Sequence, residues 1–168
     1  GGNSLKLEEV DIKMLISQVV KKLTPIANAK DIVIYVDNHQ AEFSPILLDY
    51  DKMYEAIYNI ADNAIKYSPE GGFVHIDITA DNDYLTIKIE DNGPGIPEDE
   101  RDRIFERFYR LDDSRARDTG GTGLGLAITK EAVLMHNGTI DVANVSDIGS
   151  VFTIRLPYKI TIGGQNEK

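Results

Sequence analysis

Alternation of apolar and polar residues predicts a pair of strands in the middle of the chain. Leu85, Ile87 and Ile89 alternate with polar residues, and residues 73–80 alternate in the same way. A period of two is typical of a half-buried β-strand. Asp81-Asn82-Asp83 separates the two runs, which predicts a hairpin turn between them. Other apolar runs predict further strands over residues 32–36, 46–48, 139–145 and 150–157.

Four stretches of the chain are predicted to be helical, and they cover residues 11–28, 52–67, 98–109 and 124–136. In the second stretch a core stripe at helical spacing is formed by Met53, Ile57, Ile60 and Ala64. Either Asp49 or Asp51 can cap that helix. The helices are segregated from a sheet that is built largely of hairpins. This order favours an α+β fold, a two-layer α/β sandwich, over a doubly wound parallel fold.

Composition and charge narrow the class of protein. The chain has 168 residues, 42% of them apolar and 27% charged, which is typical of one globular domain. There is no cysteine, which excludes disulfides and thiolate metal sites. The net charge of −10 argues against nucleic acid as a partner. No apolar run approaches the length that spans a membrane, so we expect a cytoplasmic domain without direct membrane contact.

Three segments are expected along the chain. Residues 1–10 are interpreted as a tag or linker remnant, and residues 11–158 as the folded domain. Residues 159–168 are expected to be a frayed tail. A polar, charged and Gly-rich stretch over residues 111–122 predicts a mobile loop inside the domain.

A carboxylate at the end of a strand is the first candidate for chemistry. If the alternation of residues 84–90 continues, Asp91 points to the same side as the buried Leu85 and Ile87. A buried carboxylate is costly unless it is hydrogen-bonded. The loop that follows contains Gly93 and Gly95, so Asp91 either faces a pocket whose ligand donates hydrogen bonds or caps the amides of its own loop.

The predicted helix over residues 52–67 has a second, polar face. Asn59, Asn63, Lys66 and Tyr67 lie at i, i+4, i+7 and i+8 and therefore share that face. Asparagine is unfavourable inside a helix, so two of them one turn apart require a reason. Carboxamide oxygens suit Mg²⁺, and lysine is a common phosphate binder. A solvated helix face is the alternative interpretation.

A second glycine cluster begins the last predicted helix. Residues 120–126 read Gly-Gly-Thr-Gly-Leu-Gly-Leu. Glycines allow the backbone to approach a phosphate closely, and a helix N-terminus offers N–H groups to an anion. The cluster lacks the preceding strand of a dinucleotide-binding fingerprint and the Gly-Lys-Ser/Thr ending of a P-loop.

These motifs, in this order, resemble the ATP-binding catalytic domain of bacterial sensor histidine kinases, within the superfamily that includes gyrase, Hsp90 and MutL. Residues 59–67 resemble the N box of that family, and residues 91–96 its G1 box. Residues 104–110 resemble the F box, and residues 121–126 the G2 box. The resemblance covers nearly the whole chain. It implies a Bergerat-type ATP-binding fold, a mixed sheet covered on one face by about three helices.

The resemblance also implies roles for individual residues. Asp91 would accept a hydrogen bond from the adenine amino group, and Gly93 and Gly95 would shape the pocket floor. Asn63 would bind Mg²⁺, with Asn59 at the metal or its waters. The remaining nucleotide contacts, to ribose or phosphates, would come from Lys66, Tyr67, Arg110, Arg115, Gly121, Thr122, Gly123, Leu124 and Gly125. Asn59, Lys66 and Arg110 are the candidate catalytic residues among these. Phe105 and Phe108 are expected to pack at the base of the lid, which is the mobile loop predicted over residues 111–122.

One departure from the superfamily disfavours hydrolysis, and a second feature indicates that the phosphoacceptor lies outside this chain. Gyrase-like relatives carry a water-activating glutamate where this chain has Asn59, which cannot act as a base. His39, His75 and His136 all lack the context of the family's phosphoacceptor. The resemblance therefore implies a kinase that acts on a separate dimerisation and histidine-acceptor domain of the same protein, and through it on a response regulator. A superfamily ATPase or clamp and a non-catalytic nucleotide-binding module remain as alternatives.

Overall fold

The computed structural model describes residues 4–107, 109, 125–145, 149–159, 161–162 and 165–166. The strands are β1 (Leu7–Val10), β2 (Val33–Asp37), β3 (Ile46–Asp49), β4 (Phe73–Ala80), β5 (Tyr84–Asp91), β6 (Thr139–Asn144), β7 (Ser150–Pro157), β8 (Thr161–Ile162) and β9 (Gln165–Asn166). The α-helices among these residues are α1 (Ile12–Ala29), α2 (Tyr50–Tyr67) and α3 (Gly125–Met135).

One five-stranded sheet forms the first layer, with the order β2-β4-β5-β7-β6. Strand β2 pairs with β4 in parallel, and the other neighbours are antiparallel, so the sheet is mixed. The alternating residues of β5 face opposite sides of the sheet, as predicted: Leu85, Ile87 and Ile89 are buried, and Lys88 is exposed. Helix α2 contacts both α1 and α3, and each of the three helices contacts the sheet. The α+β two-layer prediction is confirmed.

Helix α2 lies in the centre of the core. Its predicted stripe of Met53, Ile57, Ile60 and Ala64 is buried. Asp49 is the N-cap, because its side chain accepts a hydrogen bond from the backbone N–H of Lys52 at 3.1 Å. Helix α3 is joined to α2 by the Thr129 hydroxyl, which donates to the carbonyl of Ala56 at 3.2 Å. These contacts fix the relative position of two helices whose ends face the candidate site.

The structure corrects three local predictions. Strand β1 pairs with β3, and Val10 is buried, so the packed part of the chain begins before residue 11. Residues 98–109 contain two short 3₁₀ helices, Glu98–Glu100 and Arg103–Phe105, in place of an α-helix. Only Ile104 is buried in those two turns, which leaves no apolar stripe to support an α-helix. Strands β8 and β9 pair within the expected tail.

In the described part of the chain, no helix is both long and apolar enough to cross a membrane.

Candidate active site

A pocket lies between the second half of α2 and the loop after β5, with an empty volume of about 390 Å³ that includes open solvent at its mouth. The starts of β7 and α3 complete its wall. Its lining residues are Asn63, Ala64, Tyr67, Asp91, Pro94, Gly95, Ile96, Leu126, Ser150 and Phe152. Most of this lining is apolar, so the few polar groups that face the space determine what it can bind.

Asp91 is the charged group in this lining, and it is 5% exposed. One carboxylate oxygen accepts a hydrogen bond from the backbone N–H of Gly93 at 2.8 Å. The other accepts from the hydroxyl of Ser150, also at 2.8 Å. Asp91 therefore caps its own loop and also lines a pocket, and hydrogen bonding of Asp91 to a ligand stays a prediction. Burial raises the pKa of Asp91, although these two hydrogen bonds act in the opposite direction.

The loop after β5 is tied to the neighbouring strands. The carbonyl of Gly93 accepts a hydrogen bond from the N–H of Gly149 at 2.6 Å. The N–H of Ile96 donates to the side-chain oxygen of Asn144 at 2.8 Å. On the other side, the Asn92 side chain accepts from the N–H of Phe73 at 2.9 Å. The floor of the pocket is therefore held by hydrogen bonds from both flanks.

The polar face of α2 is half-buried and lies partly on the pocket. Asn63 and Tyr67 line the space, and their contacts to metal and nucleotide stay predictions. The amide nitrogen of Asn59 lies 3.4 Å from the carbonyl oxygen of Gly125, the first residue of α3. Lys66 is not among the described lining residues, and its ammonium group lies 3.0 Å from the carboxylate of Asp62. A phosphate contact of Lys66 therefore stays a prediction.

Lys30 stabilises the end of α2, a role that the sequence did not reveal. Its ammonium group donates to the carbonyls of Ile65 and Lys66, at 3.0 and 2.6 Å. These carbonyls belong to the last turn of the helix, where a cation is favourable. Burial lowers the pKa of Lys30. Lys30 therefore holds the turn that positions Tyr67.

The segment before the lid packs against the pocket wall. Phe105 contacts Phe152 edge to face, with ring centroids 6.1 Å apart, and Phe152 lines the pocket. This agrees with the packing role expected for Phe105. The described residues exclude Phe108, the loop over residues 111–122 and the predicted site residues Arg110, Arg115, Gly121, Thr122, Gly123 and Leu124.

Ser150 is the polar site residue that the sequence analysis did not assign. It lies opposite Asp91 in the register of β5 and β7, and it is buried. Gly149 directly before Ser150, the first residue of the strand predicted over residues 150–157, was the available signal. Only the pairing of the strands shows which carboxylate the hydroxyl contacts.

Comparison with known proteins now identifies the family. A family described as "Histidine kinase-, DNA gyrase B-, and HSP90-like ATPase" matches residues 48–160. This chain belongs to that family. Within the family, its relatives are sensor histidine kinases. WalK from Bacillus subtilis is 46% identical over 114 residues, which are 67% of this chain and 19% of WalK. SenX3 from Mycolicibacterium smegmatis is 38% identical over 151 residues, 90% of this chain and 39% of SenX3.

Solved structures of histidine kinases have the same fold. The mycobacterial sensor histidine kinase MprB superposes with a TM-score of 0.77 at 32% identity, over 92% of this chain and 99% of that chain. Full-length ShkA, solved in complex with AMPPNP, gives a TM-score of 0.80 at 31% identity, over 96% of this chain and 33% of ShkA. This histidine-kinase ATPase domain thus spans less than half the length of WalK, SenX3 and ShkA.

Proposed function

We propose that this domain binds Mg-ATP and donates the γ-phosphoryl group to a histidine on a separate dimerisation and acceptor domain of the same protein. The similarity of this chain to sensor histidine kinases supports phosphoryl transfer as the reaction class. The observation that carries the proposal is a buried carboxylate, Asp91, at the end of a pocket whose other walls are largely apolar. An adenine ring presents an apolar face and an amino donor, which this arrangement complements.

The adenine end of the site is proposed from Asp91 and the loop glycines. The ionised carboxylate of Asp91 accepts the amino group, while the Ser150 hydroxyl and the Gly93 amide keep it oriented. A side chain at Gly93 would lie 2.6 Å from the carbonyl of Tyr67, so glycine is needed where the loop meets α2. The similar protein ShkA was solved in complex with AMPPNP, which supports nucleotide binding by this domain.

The magnesium site is proposed at Asn63 and Asn59. Carboxamide oxygens fit a hard cation, and Asn63 lies on the pocket. The hydrogen bond of Asn59 to Gly125 uses its amide nitrogen, which directs the oxygen away from that partner. Bound Mg²⁺ would neutralise charge on the transferring phosphates. Lys66, Arg110, Arg115 and the amides of residues 121–125 are proposed to contribute the remaining phosphate contacts.

Transfer to another domain is proposed because no histidine of this chain is suited to accept the phosphoryl group. His136 is buried and hydrogen-bonded to the backbone of Ala132 and Asp49. His39 and His75 contact Asp77 and Asp37. His75 lies on the face of the sheet opposite Asp91, and His39 follows strand β2 and contacts Asp77 on that same face. We place the acceptor domain, and through it the response regulator, in the cytoplasm, where ATP is available.

Phosphoryl transfer in trans tests the proposal. The isolated chain should bind Mg-ATP but hydrolyse it slowly, because Asn59 cannot activate water. When the acceptor domain of the full-length protein is added with labelled ATP, that domain should become labelled. The bond should be acid-labile and base-stable, as a phosphoramidate is. An acceptor domain without its histidine is the control. Rapid hydrolysis by the lone chain, abolished by Asp91→Asn, would instead show an ATPase.

Replacing Asn63 with alanine should remove most of the magnesium dependence of ATP binding while the fold survives. The side chain lies on the pocket and outside the core stripe, so its truncation leaves no core cavity. Titration calorimetry with and without Mg²⁺ measures the effect. Glu55→Ala, at an exposed position of α2 two turns earlier, is the control for a nonspecific change of the helix surface. A normal magnesium response of the Asn63 variant would assign the metal to other ligands.

As the pH is lowered, nucleotide affinity should begin to fall at a higher pH than it would if the acceptor were an aspartate of ordinary pKa. The amino group needs an ionised acceptor, and burial raises the pKa of Asp91. The stability of the ligand-free fold has the opposite sign: the Asp91 contribution is present below the unfolded-state pKa and is lost as the pH rises through the folded-state pKa. ADP affinity is measured at several pH values for the wild type and for Asp91→Asn, and the difference between the two profiles gives the contribution of the Asp91 carboxylate. Identical pH profiles would contradict the assignment.

A further inference from the structure

Two histidines and two aspartates meet on the open face of the sheet, which the nucleotide site does not use. In the parallel pair of β2 and β4, Asp37 lies beside Asp77, and His75 points to the same face two residues before Asp77. His39 follows β2 and has a positive φ of 62°. These four residues are called the His–Asp cluster below. Asp91 is buried on the opposite face, so the cluster and the pocket are separate.

The carboxylates of the His–Asp cluster are placed side by side at a cost. Like charges in directly paired positions of two strands destabilise a sheet. Each carboxylate has its own imidazole partner: His75 Nε2 lies 2.7 Å from Asp37 Oδ2, and His39 Nε2 contacts Asp77 Oδ1. Across β5, Lys88 lies opposite Asp77, and Glu90 lies opposite His75. The arrangement concentrates ligand atoms and negative charge at one edge of the sheet.

The distances within the cluster suit a metal ion. One ligand atom each from Asp37, His75 and Asp77 lies within 4.8 Å of the others. In a tetrahedral zinc site with bonds of about 2.0–2.1 Å, ligand atoms are about 3.3 Å apart. Asp37 is exposed and the other two side chains are partly exposed, so small rotations can bring the three ligand atoms to the separations of a zinc site. Imidazole nitrogen together with carboxylate oxygen favours a transition metal over Mg²⁺, which prefers oxygen ligands alone.

We propose that Asp37, His75 and Asp77 bind a divalent transition-metal ion, for which Zn²⁺ is the probe. Three protein ligands leave the fourth tetrahedral position to water. His39 acts as a positioning residue, because its hydrogen bond orients the Asp77 carboxylate towards the ion. The ion links edge strand β2 to β4 and neutralises the paired carboxylates. Zinc therefore stabilises the edge of the sheet without entering the nucleotide pocket.

Calorimetric titration of the nucleotide-free chain with Zn²⁺ tests the site. We expect one ion per chain, and a zinc affinity at least about tenfold lower in His75→Gln and in Asp77→Asn. Asp141→Asn is the matched control, because Asp141 is exposed on β6 in the same cross-strand row but at the far edge of the sheet. That variant should bind zinc like the wild type. Mg²⁺ alone should give no comparable binding.

Thermal unfolding provides a second readout that does not depend on heats of binding. Zinc should raise the Tm of the wild type and of Asp141→Asn, since an ion that binds only the folded state stabilises it. It should leave the Tm of His75→Gln and Asp77→Asn nearly unchanged, and His39→Gln should show a smaller shift than the wild type. Unchanged zinc affinity in both ligand variants, or equal binding of Mg²⁺, would overturn the proposal.

Discussion

Asp91→Asn should lower the affinity for ATP by roughly 5- to 150-fold while the domain stays folded. The substitution replaces one oxygen acceptor by an N–H₂ donor, so either the adenine amino group or a neighbouring donor loses its partner. A buried polar group without a partner costs about 1–3 kcal/mol, which corresponds to that range of affinity. The stability of the ligand-free domain should change less, because burial already disfavours the ionised carboxylate. Titration calorimetry and thermal unfolding separate the two effects.

Two variants calibrate the Asp91 result. Glu90→Gln makes the same chemical change one residue earlier, on the opposite face of β5, and should leave ATP affinity unchanged. Ser150→Ala removes the hydroxyl that orients Asp91, and it should weaken binding less than Asp91→Asn does. Equal ATP affinity of the folded Asp91 variant and the wild type would contradict the adenine assignment.

Gly149→Ala should be among the most destabilising single substitutions at this site. The φ of Gly149 is +84°, a conformation that costs a non-glycine residue about 1–2 kcal/mol. An added Cβ would also lie 2.5 Å from the carbonyl oxygen of Asp91, and such overlap adds about 1–3 kcal/mol. The free energy of unfolding should therefore fall by about 2–5 kcal/mol in denaturant titrations. Nucleotide affinity should fall too, since the backbone of Asp91 must move.

Gly71→Ala is the matched control for this prediction. Gly71 has nearly the same φ, +81°, but an added Cβ there meets only the carboxylate of Asp31, at 3.9 Å. It should show the conformational cost alone, with normal ATP affinity. If both alanine variants lose the same stability and bind ATP alike, the contact between Gly149 and Asp91 has no energetic importance.

Local pattern was sufficient to predict most of the elements and the position of Asp91. The alternation of Leu85, Ile87 and Ile89 predicted a half-buried strand, and its continuation placed a carboxylate inside the domain. The buried stripe on α2 followed from residue spacing in the same way. These features depend only on the spacing of apolar residues within one segment, and that spacing can be read directly from the sequence.

The remainder of the site depends on which segments meet. Ser150 contacts Asp91 only because β7 pairs with β5 in one register, 59 residues away along the chain. Lys30 caps α2 because α1 ends beside it, and a lysine at that position has no sequence signal of such a role. Strand β1 was missed since its four residues gain their strand character from pairing with β3. The periodicity of a segment does not show which distant segment it pairs with, so these contacts could not be predicted from the sequence.

The hydrogen bonds that fix the loop after β5 have a consequence for inhibitor discovery. Gly149, Asn144 and Asn92 each hold one point of this loop. A rigid end of a pocket needs little reorganisation, so a small fragment can bind there without the phosphates. Flat heterocycles that carry an amino group for Asp91 should therefore be found as weak, efficient ligands in a fragment screen. Growth of such fragments along α2 towards Asn63 would add contacts from a second fixed element.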